Sequence, residues 1–295
     1  MTGRGARISS AFIGAALLSA PGITAAQALA DNPPPATGAQ DPGSAAPPAG
    51  EPDAQELAKH LSNPVSSLIS VPFQQNIDFG AGAKRDGVKS TLDIQPVIPL
   101  SIQKSWNLIV RTILPVIGQN DFEGPGTGTF GLGDTVQSFF FSPKRPGPGG
   151  IIWGAGPVFL YPSATDRILG RDKWGAGPTI VLLRQSGKNT FGFLGNHIWS
   201  VGGDDLRPDI SATFLQPFVS HTTASAMSFT LNTETTYDWK GKDWIVPVNL
   251  TVAQLTKLGK QRVQLGIGGR YYAKKPAGGP TWGLRLFMTL LFPKK

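Results

Sequence analysis

Apolar and polar residues alternate along most of the chain, from residue 68 to residue 292, and a helical period is hard to find there. A period of two is typical of β-strands with one apolar face, because successive side chains of a strand point to opposite sides. Turn residues divide this region into runs that predict twelve strands. The predicted strands are approximately 68–81, 88–101, 105–117, 130–142, 151–162, 174–184, 190–201, 210–221, 225–238, 244–255, 262–273 and 282–292.

The spacing and composition of these runs indicate a membrane barrel. About 225 residues leave roughly 19 for each strand with its share of loop, which suits about 9–11 membrane residues per strand. Charged residues make up only 16% of the chain, where about a quarter is usual for a soluble domain. We therefore predict an all-β fold, a transmembrane antiparallel up-and-down β-barrel of about 12 strands. Ten or fourteen strands fit if a run has been merged or split.

The connections between the runs fall into two sets. Odd-to-even connections include GQNDFEGPGTGT, SATDRILGRDK and GGDDLRPD, whereas even-to-odd ones include QKS, SGKN, HTTA and TKLGKQ. Outer loops of membrane barrels are long and periplasmic turns are short. This assignment places both termini in the periplasm, although SPKRPGPGG is long for a periplasmic turn.

The N-terminus has the three parts of a secretory leader in order. Arg4 and Arg7 precede an apolar stretch at residues 8–20, and Ala28, Leu29 and Ala30 offer an A-x-A cleavage site. Residues 31–62 are Pro/Ala-rich and predict a disordered periplasmic linker, with one or two helical turns at residues 56–61. We thus divide the chain into a signal peptide (1–30), the linker (31–62) and an outer-membrane barrel (63–295).

The last strand has the pattern of a barrel-assembly signal. Leucines and Met288 alternate on one face, which closes on the aromatic Phe292, while Arg285 and Thr289 lie on the other face. We assign the signal to Gly283, Leu290 and Phe292, with the barrel-assembly machinery as the partner. Pro293, Lys294 and Lys295 follow the aromatic, which departs from the ideal pattern.

Alternation also predicts which polar side chains face the lumen. A charge facing lipid at mid-depth costs about 2–4 kcal/mol, so inward placement is favoured. The predicted lumen-lining residues are Asp93, Gln95, Arg111, Asn232, Glu234, Gln264, Arg270 and Arg285. They either line a pore that filters solutes or fill a narrow barrel with salt-bridged side chains.

Two groups of residues leave questions open. Aromatic residues near strand ends fit membrane-interface girdles, or else the core of a soluble β-sandwich. Six prolines fall inside predicted strands, where each removes a hydrogen-bond donor and has no evident purpose: Pro72, Pro96, Pro157, Pro178, Pro217 and Pro247.

Taken in order, many runs resemble one bacterial family. They include NPVSSLISVPFQQNIDFG, WNLIVRTILPVI, GLGDTVQSFFFSP, WGAGPVFLYPSATD, KWGAGPTIVLLRQ and GGPTWGLRLFMTLLFPK, and the resemblance covers almost everything from Asn63 onward. The family comprises outer-membrane transporters, also labelled as proteins of the meta-pathway of phenol degradation and in some members named neuromedin U. The resemblance implies a barrel in the outer membrane of a Gram-negative bacterium and, as an attribution, transport of aromatic compounds.

Several classes of function find no support in the residues. The absence of cysteine excludes a disulfide scaffold, a thiolate metal site and a cysteine nucleophile. His60, His197 and His221 are isolated, and Ser200 points away from His197 on a strand, so we predict no catalysis, no metal and no cofactor. The net charge of +8 is scattered, which argues against nucleic acid and fits contact with outer-membrane lipid headgroups.

These observations favour a channel for small solutes, with aromatic or hydrophobic compounds as the suggested cargo and the actual solute undefined. The alternative is a structural or surface-interaction barrel with a filled lumen and functional outer loops. A third reading, an outer-membrane lipid enzyme, needs a converging catalytic group that the sequence does not supply.

The leader generates a direct prediction about processing. We expect the mature protein to begin near Asp31, because cleavage follows the A-x-A site. Intact-mass measurement of protein taken from outer membranes checks this, and a retained Met1 contradicts it.

Overall fold

The computed structural model describes residues 54–122 and 124–292. The predicted signal peptide, most of the predicted linker and the last three residues lie outside the described residues. Within them, a short helix, α1 (Ala54–Leu61), precedes the sheet, and a 3-10 turn spans Pro148–Gly150. Helical turns were expected at residues 56–61, within the predicted linker, and α1 spans Ala54–Leu61. No helix in this part of the chain is long and apolar enough to cross a bilayer.

Twelve antiparallel strands form one closed sheet, which confirms the predicted fold class. Three of the strands consist of two segments. The strands are β1 (Ile69–Ala81), β2 (Gly87–Ile94 and Val97–Ser101), β3 (Trp106–Asn120), β4 (Gly128–Leu132 and Thr135–Pro143), β5 (Ile151–Tyr161), β6 (Lys173–Ser186), β7 (Asn189–Gly203), β8 (Ser211–Thr222), β9 (Met227–Thr233 and Thr235–Asp238), β10 (Asp243–Leu258), β11 (Gln261–Lys274) and β12 (Trp282–Phe292). Each strand pairs with its neighbour in sequence.

The first and last strands close the barrel. Strand β12 pairs with β1 without a bulge, from Ile69 opposite Phe292 to Phe79 opposite Trp282. In hydrocarbon an unpaired backbone group costs several kcal/mol, and a closed sheet has no unpaired edge. Closure therefore depends on the predicted assembly strand, residues 282–292.

Prolines account for the three strand breaks. The carbonyl of a proline on the adjacent strand accepts a hydrogen bond from the backbone N–H at each break: Gln95 to Pro72 (2.8 Å), Gly133 to Pro115 (2.9 Å) and Glu234 to Pro247 (3.2 Å). Because proline has no N–H to return a bond, these positions hold one hydrogen bond instead of an exchanged pair. Pro157 and Pro178 lie opposite each other in an unbroken β5–β6 pairing, and the gaps in pairing lie on their other sides, between β4 and β5 and between β6 and β7.

Side chains alternate between a buried inner face and an exposed outer face. On β6, Ile180 and Leu182 are 40% and 42% exposed, whereas Val181 and Leu183 are 0% and 3% exposed. Aromatic side chains lie on the outer face towards one end of the barrel, with Phe79 stacked on Trp282 at 4.6 Å between ring centroids. This arrangement has the apolar outer band and aromatic ends of a membrane barrel.

The two ends of the barrel differ in their connections. The end that carries Ile69 and Phe292, here the termini end, has the two shortest connections, residues 187–188 and 259–260. The longest connection, residues 162–172, lies at the opposite loop end. Residues 144–150 are the long connection at the termini end. The even-to-odd connections thus lie at the termini end and the odd-to-even connections at the loop end, as the sequence analysis predicted.

Phe292 provides a test of the closing strand. It faces outward, 40% exposed, at the end of β12. We expect Phe292→Asp to insert poorly and be degraded, because it places a charge on the outer face where the sheet closes. The measurement is outer-membrane yield of the heat-modifiable form on gels. Leu206→Asp is the matched control, since Leu206 is 89% exposed in a connection at the loop end. Normal accumulation of Phe292→Asp would contradict the role assigned to this strand.

Candidate functional site

The barrel encloses three cavities stacked along its axis. We call them the termini-side, central and loop-side cavities, of about 250, 320 and 340 Å³. The first two share Gln74, Gln95, Arg111 and Gln216. The central and loop-side cavities share Asp93 and Glu234. These shared lining residues place the three cavities next to one another along the lumen.

All eight residues predicted to face the lumen line one or more of these cavities. Asn232, Gln264 and Arg285 line the termini-side cavity; Gln95 and Arg111 line it and the central one; Asp93 and Glu234 line the central and loop-side cavities; Arg270 lines the loop-side one. The structure therefore brings these side chains together inside the barrel. That a solute passes between them stays a prediction.

Four charged side chains form what we call the charge cluster: Asp78, Glu234, Arg270 and Arg285. Arg285 donates two hydrogen bonds to the two carboxylate oxygens of Glu234, at 2.8 and 2.7 Å. Arg270 lies 3.7 Å from Glu234 and 3.7 Å from Asp78. Glu234 is on β9 and Arg285 on β12, so the pair joins strands that are not neighbours in the wall and lies across part of the lumen.

The geometry of the charge cluster is that of a strong ion pair. The Arg285 and Arg270 side chains are 3% and 9% exposed, and that of Asp78 is 7% exposed. A buried guanidinium needs a partner for its donors, and the fork of Arg285 matches a carboxylate in two parallel bonds. Its remaining Nε donates to Asn76 Oδ1 at 2.8 Å. The cluster thus satisfies the charges that the barrel interior could not otherwise hold.

Arg111 and Asp93 stand apart from this cluster. Arg111 Nη2 donates to the neutral Gln95 Oε1 at 2.8 Å, and Asp93 Oδ2 accepts from Asn76 Nδ2 at 3.3 Å. Among the described residues, neither has a group of opposite charge within ion-pair distance. Two charged groups in the walls of the central cavity therefore have only neutral partners in direct contact.

The lining of the central cavity is mixed. Strands β3, β4, β7 and β8 supply the apolar side chains (Ile113, Val136, Leu194, Ile198 and Phe214), and they also supply Arg111, Ser138, Asn196 and Gln216. Strands β1, β2 and β9 supply further polar side chains, among them Gln74, Asp93 and Glu234. The arrangement suits a molecule that has an apolar body and a polar group.

The chain segment before β1 lies in the termini end of the lumen; we call residues 54–66 the plug segment. Its Leu57 and Ala58 are buried against Ala226, Leu255 and Leu291. Further along, Val65 packs in a cluster with inward-facing residues of β3, β4, β6 and β7. Ser62 Oγ lies 3.2 Å from Ser220 Oγ of β8, and Gln185 of β6 donates to the Lys59 carbonyl at 2.9 Å. The plug segment therefore contacts opposite parts of the wall.

A loop, residues 162–172, folds over the inner side of β4 at the other end. A Cβ at Gly131 would lie 2.2 Å from Thr165 Oγ1, so only glycine allows this approach. Asp134 accepts backbone hydrogen bonds from Ala164 (3.3 Å) and Arg171 (2.6 Å), which hold the loop in place. Gly131 of β4 therefore allows the close approach of this loop.

Ion pairs also join the connections at the loop end. Arg167 lies 2.8 Å from Asp204, and Lys173 lies 3.3 Å from Asp209. Hydrogen bonds from Lys173 and Ser200 hold the pKa of the exposed Asp209 carboxyl below its ordinary value. These contacts tie the β5–β6 and β7–β8 connections together.

The histidines do not form a reactive pair with Ser200. Ser200 Oγ donates to Asp209 Oδ1 at 3.1 Å, while His197 Nδ1 lies 2.7 Å from Thr213 Oγ1. Ser211 Oγ is 3.4 Å from His197 Nε2, beyond the usual range of about 2.6–3.2 Å between a nucleophile and its base. Within the described residues, no three acidic or histidine side chains are placed to hold a metal ion.

Sequence analysis missed several charged or amide residues of the lumen, among them Asn76 and Asp78. Asn76 and Asp78 on β1 are 3% and 5% exposed and contact the arginines described above. Asn76 and Asp78 alternate with Ile77 and Phe79. The alternation of polar and apolar residues that identified the inner face of β2 therefore also predicts that these two side chains face the lumen. The plug segment was missed as well, since its apolar residues have no strand period.

Comparison with known proteins supports the fold. No family model matches the chain, and no curated protein matches it. The crystal structure of an outer membrane channel from Pseudomonas putida F1 is similar with a TM-score of 0.60 at 16% identity, covering 76% of this chain and 94% of that one. The KdgM porin in complex with disordered oligogalacturonate has a TM-score of 0.45 at 8% identity, covering 76% and 99%. At these identities the likeness concerns the barrel fold.

Removing one member of the charge cluster should destabilise the barrel. We expect Glu234→Gln to cost about 2–4 kcal/mol, because it leaves Arg285 buried without its counter-charge. The measurement is the temperature at which the heat-modifiable form unfolds in detergent. Adding Arg285→Met to Glu234→Gln should recover part of the loss, and Asp205→Asn in the exposed loop is the matched control. An unchanged transition in Glu234→Gln would show that the pair contributes little.

Proposed function

We propose that this protein is an outer-membrane channel for small solutes, with aromatic or hydrophobic compounds as cargo. The observation that carries the proposal is the series of three adjoining cavities inside a closed barrel. Each cavity has a volume suited to small molecules. The resemblance of the sequence to transporters linked with the meta-pathway of phenol degradation points the same way.

The chemistry of the central cavity supports this class of cargo. Ile113, Leu194 and Phe214 offer an apolar surface for a ring or short hydrocarbon. The polar lining residues can exchange hydrogen bonds with a solute as water is removed, which lowers the cost of passage. A purely polar lumen would favour sugars or ions, whereas a mixed apolar and polar lining favours amphiphilic compounds.

The location we propose is the outer membrane of a Gram-negative bacterium. The outer face carries exposed apolar side chains that lipid would cover, and the leader and closing strand fit export followed by insertion through the barrel-assembly machinery. Lipid and that machinery are the proposed partners.

A second candidate is a barrel with a permanently filled lumen, which would act in structure or through its outer loops. Specific contacts favour it, because the charge cluster and the plug segment both occupy the lumen. The two candidates differ in one respect: a channel must let solute past the plug segment, whereas a filled barrel need not.

A disulfide that fixes the plug segment separates the two. Ser62 Oγ and Ser220 Oγ lie 3.2 Å apart, so Ser62→Cys with Ser220→Cys places two sulfurs within bonding reach. The natural chain has no cysteine to interfere. We expect the reduced variant to conduct in planar bilayers and the oxidised variant to lose most of its conductance, because the bond prevents the segment from leaving the lumen.

The control disulfide joins two wall strands. Thr222→Cys with Ser228→Cys uses hydroxyls 3.2 Å apart on β8 and β9 and leaves the plug segment free. Its oxidation should not alter conductance. Absence of conductance in the wild type and in both reduced variants would favour the filled barrel. Equal conductance before and after fixing Ser62 would mean that the solute path avoids the plug segment.

A further inference from the structure

We propose that Arg111 forms a binding site for the carboxylate of a small monocarboxylic acid with an apolar, ring-sized body. The site lies where the termini-side and central cavities meet. The inference rests on the proposed function only in regarding the lumen as accessible to solutes, and it names a class of cargo that the proposed function leaves open.

The first support is the state of the Arg111 guanidinium. It lines both cavities, and its hydrogen bond within this part of the barrel goes to the neutral Gln95 Oε1 at 2.8 Å. A guanidinium has five donors, and its fork matches the two oxygens of a carboxylate. Arg285 has such a carboxylate in Glu234, at 2.8 and 2.7 Å. Arg111 has none within ion-pair distance among the described residues.

The neighbouring acidic groups do not fill this place. Both oxygens of Glu234 accept hydrogen bonds from Arg285, so its charge is compensated. Asp93 lies in register with Pro115, four residues along β3 from Arg111. At about 3.3 Å per residue, the two backbone positions are roughly 13 Å apart along the strands. Asp93 and Arg111 line the same cavity without forming an ion pair.

The lining of the termini-side cavity also favours an anion at this point. Its charged side chains are Arg111 and Arg285, of which Arg285 is paired with Glu234, and its other polar residues are neutral hydroxyls and amides. An anion that enters from this side meets Arg111 and many hydrogen-bond donors, without an acidic side chain in the cavity lining. In the loop-side cavity, three acidic side chains (Asp78, Asp93, Glu234) face three basic ones (Lys89, Arg270, Lys275), which gives no net attraction for either sign.

The apolar wall lies where the body of such a molecule would extend. Ile113 follows Arg111 by two residues on the same inner face of β3, towards the loop end. Leu194, Ile198 and Phe214 continue this surface across the cavity. A carboxylate on Arg111 thus places a ring against Ile113, in a cavity of about 320 Å³. Burying that ring contributes roughly 25 cal/mol for each Å² of apolar surface.

Calorimetric titration of the detergent-folded full-length protein tests the site. The probes are benzoate, benzyl alcohol and benzylamine, which have similar apolar bodies and different head groups. We expect benzoate to bind at least ten-fold more tightly than the other two. Arg111→Gln should remove about ten- to hundred-fold of the benzoate affinity, the usual effect of losing hydrogen bonds to a charged group. It should change benzyl alcohol binding less than three-fold.

Two further variants define the geometry. Arg184→Gln is the matched control, since Arg184 is an exposed residue on the outer face of β6, and it should leave all affinities unchanged. Ile113→Ala should weaken benzoate and benzyl alcohol alike by several-fold, because it removes contact with the shared body. Heat-modifiable migration on gels establishes that each variant is folded.

The proposal is overturned if wild-type protein prefers benzylamine or does not distinguish benzoate from benzyl alcohol. It is also overturned if folded Arg111→Gln keeps the wild-type preference. If Arg111→Gln fails to fold, the relative affinities of wild-type protein for the three probes still test the proposal. Conductance in potassium chloride is measured separately. Its absence would reject the proposed channel function and leave the binding site to the titration. Conductance in a protein that shows no preference for benzoate in the titration would reject only the site at Arg111.

Discussion

The pairing of β12 with β1 is the interaction on which the rest of this molecule depends. Within hydrocarbon every backbone donor and acceptor must be satisfied by the chain itself, and a sheet meets that demand only by closing. Closure gives each strand a lipid side and a lumen side, and this produces the alternation seen at Val181, Leu182 and Leu183. It also forces the charges of the spanning strands inward, where Arg285 and Glu234 compensate each other.

Twelve strands enclose a space larger than inward side chains alone fill. Three parts of the chain occupy some of that space: the plug segment at the termini end, the charge cluster in the middle and residues 162–172 at the loop end. What remains is the series of cavities, whose lining mixes apolar and polar side chains. The plug segment is held to the wall by side-chain contacts, such as those of Ser62 with Ser220 and of Val65 with its apolar cluster, and not by strand pairing.

The sequence predicts the strands well because alternation is a local property. The final strand, residues 282–292, agrees with the structure to the residue, and the eight lumen-facing residues all lie inside. The pairing of Glu234 with Arg285 was not predictable, because it depends on side chains that meet across the lumen from separate strands. Val65 was missed for a related reason: its apolar contacts arise only after the barrel has formed around it. The helical turns expected at residues 56–61 were found, but the surface against which Leu57 and Ala58 pack was not predictable, since it comes from distant strands and connections.

Two of the prolines within strands, Pro72 and Pro247, lie opposite strand breaks at the level of the central cavity. Two of the three strand breaks fall at Gln95 and Glu234, and both residues line that cavity. Opposite each break, Pro72 or Pro247 supplies a carbonyl but no N–H, so the strand is held there by a single hydrogen bond. A regular pairing would hold an exchanged pair of hydrogen bonds at these points. The breaks thus fall where Gln95 contacts Arg111 and where Glu234 contacts Arg285, two contacts that a solute in the lumen would meet.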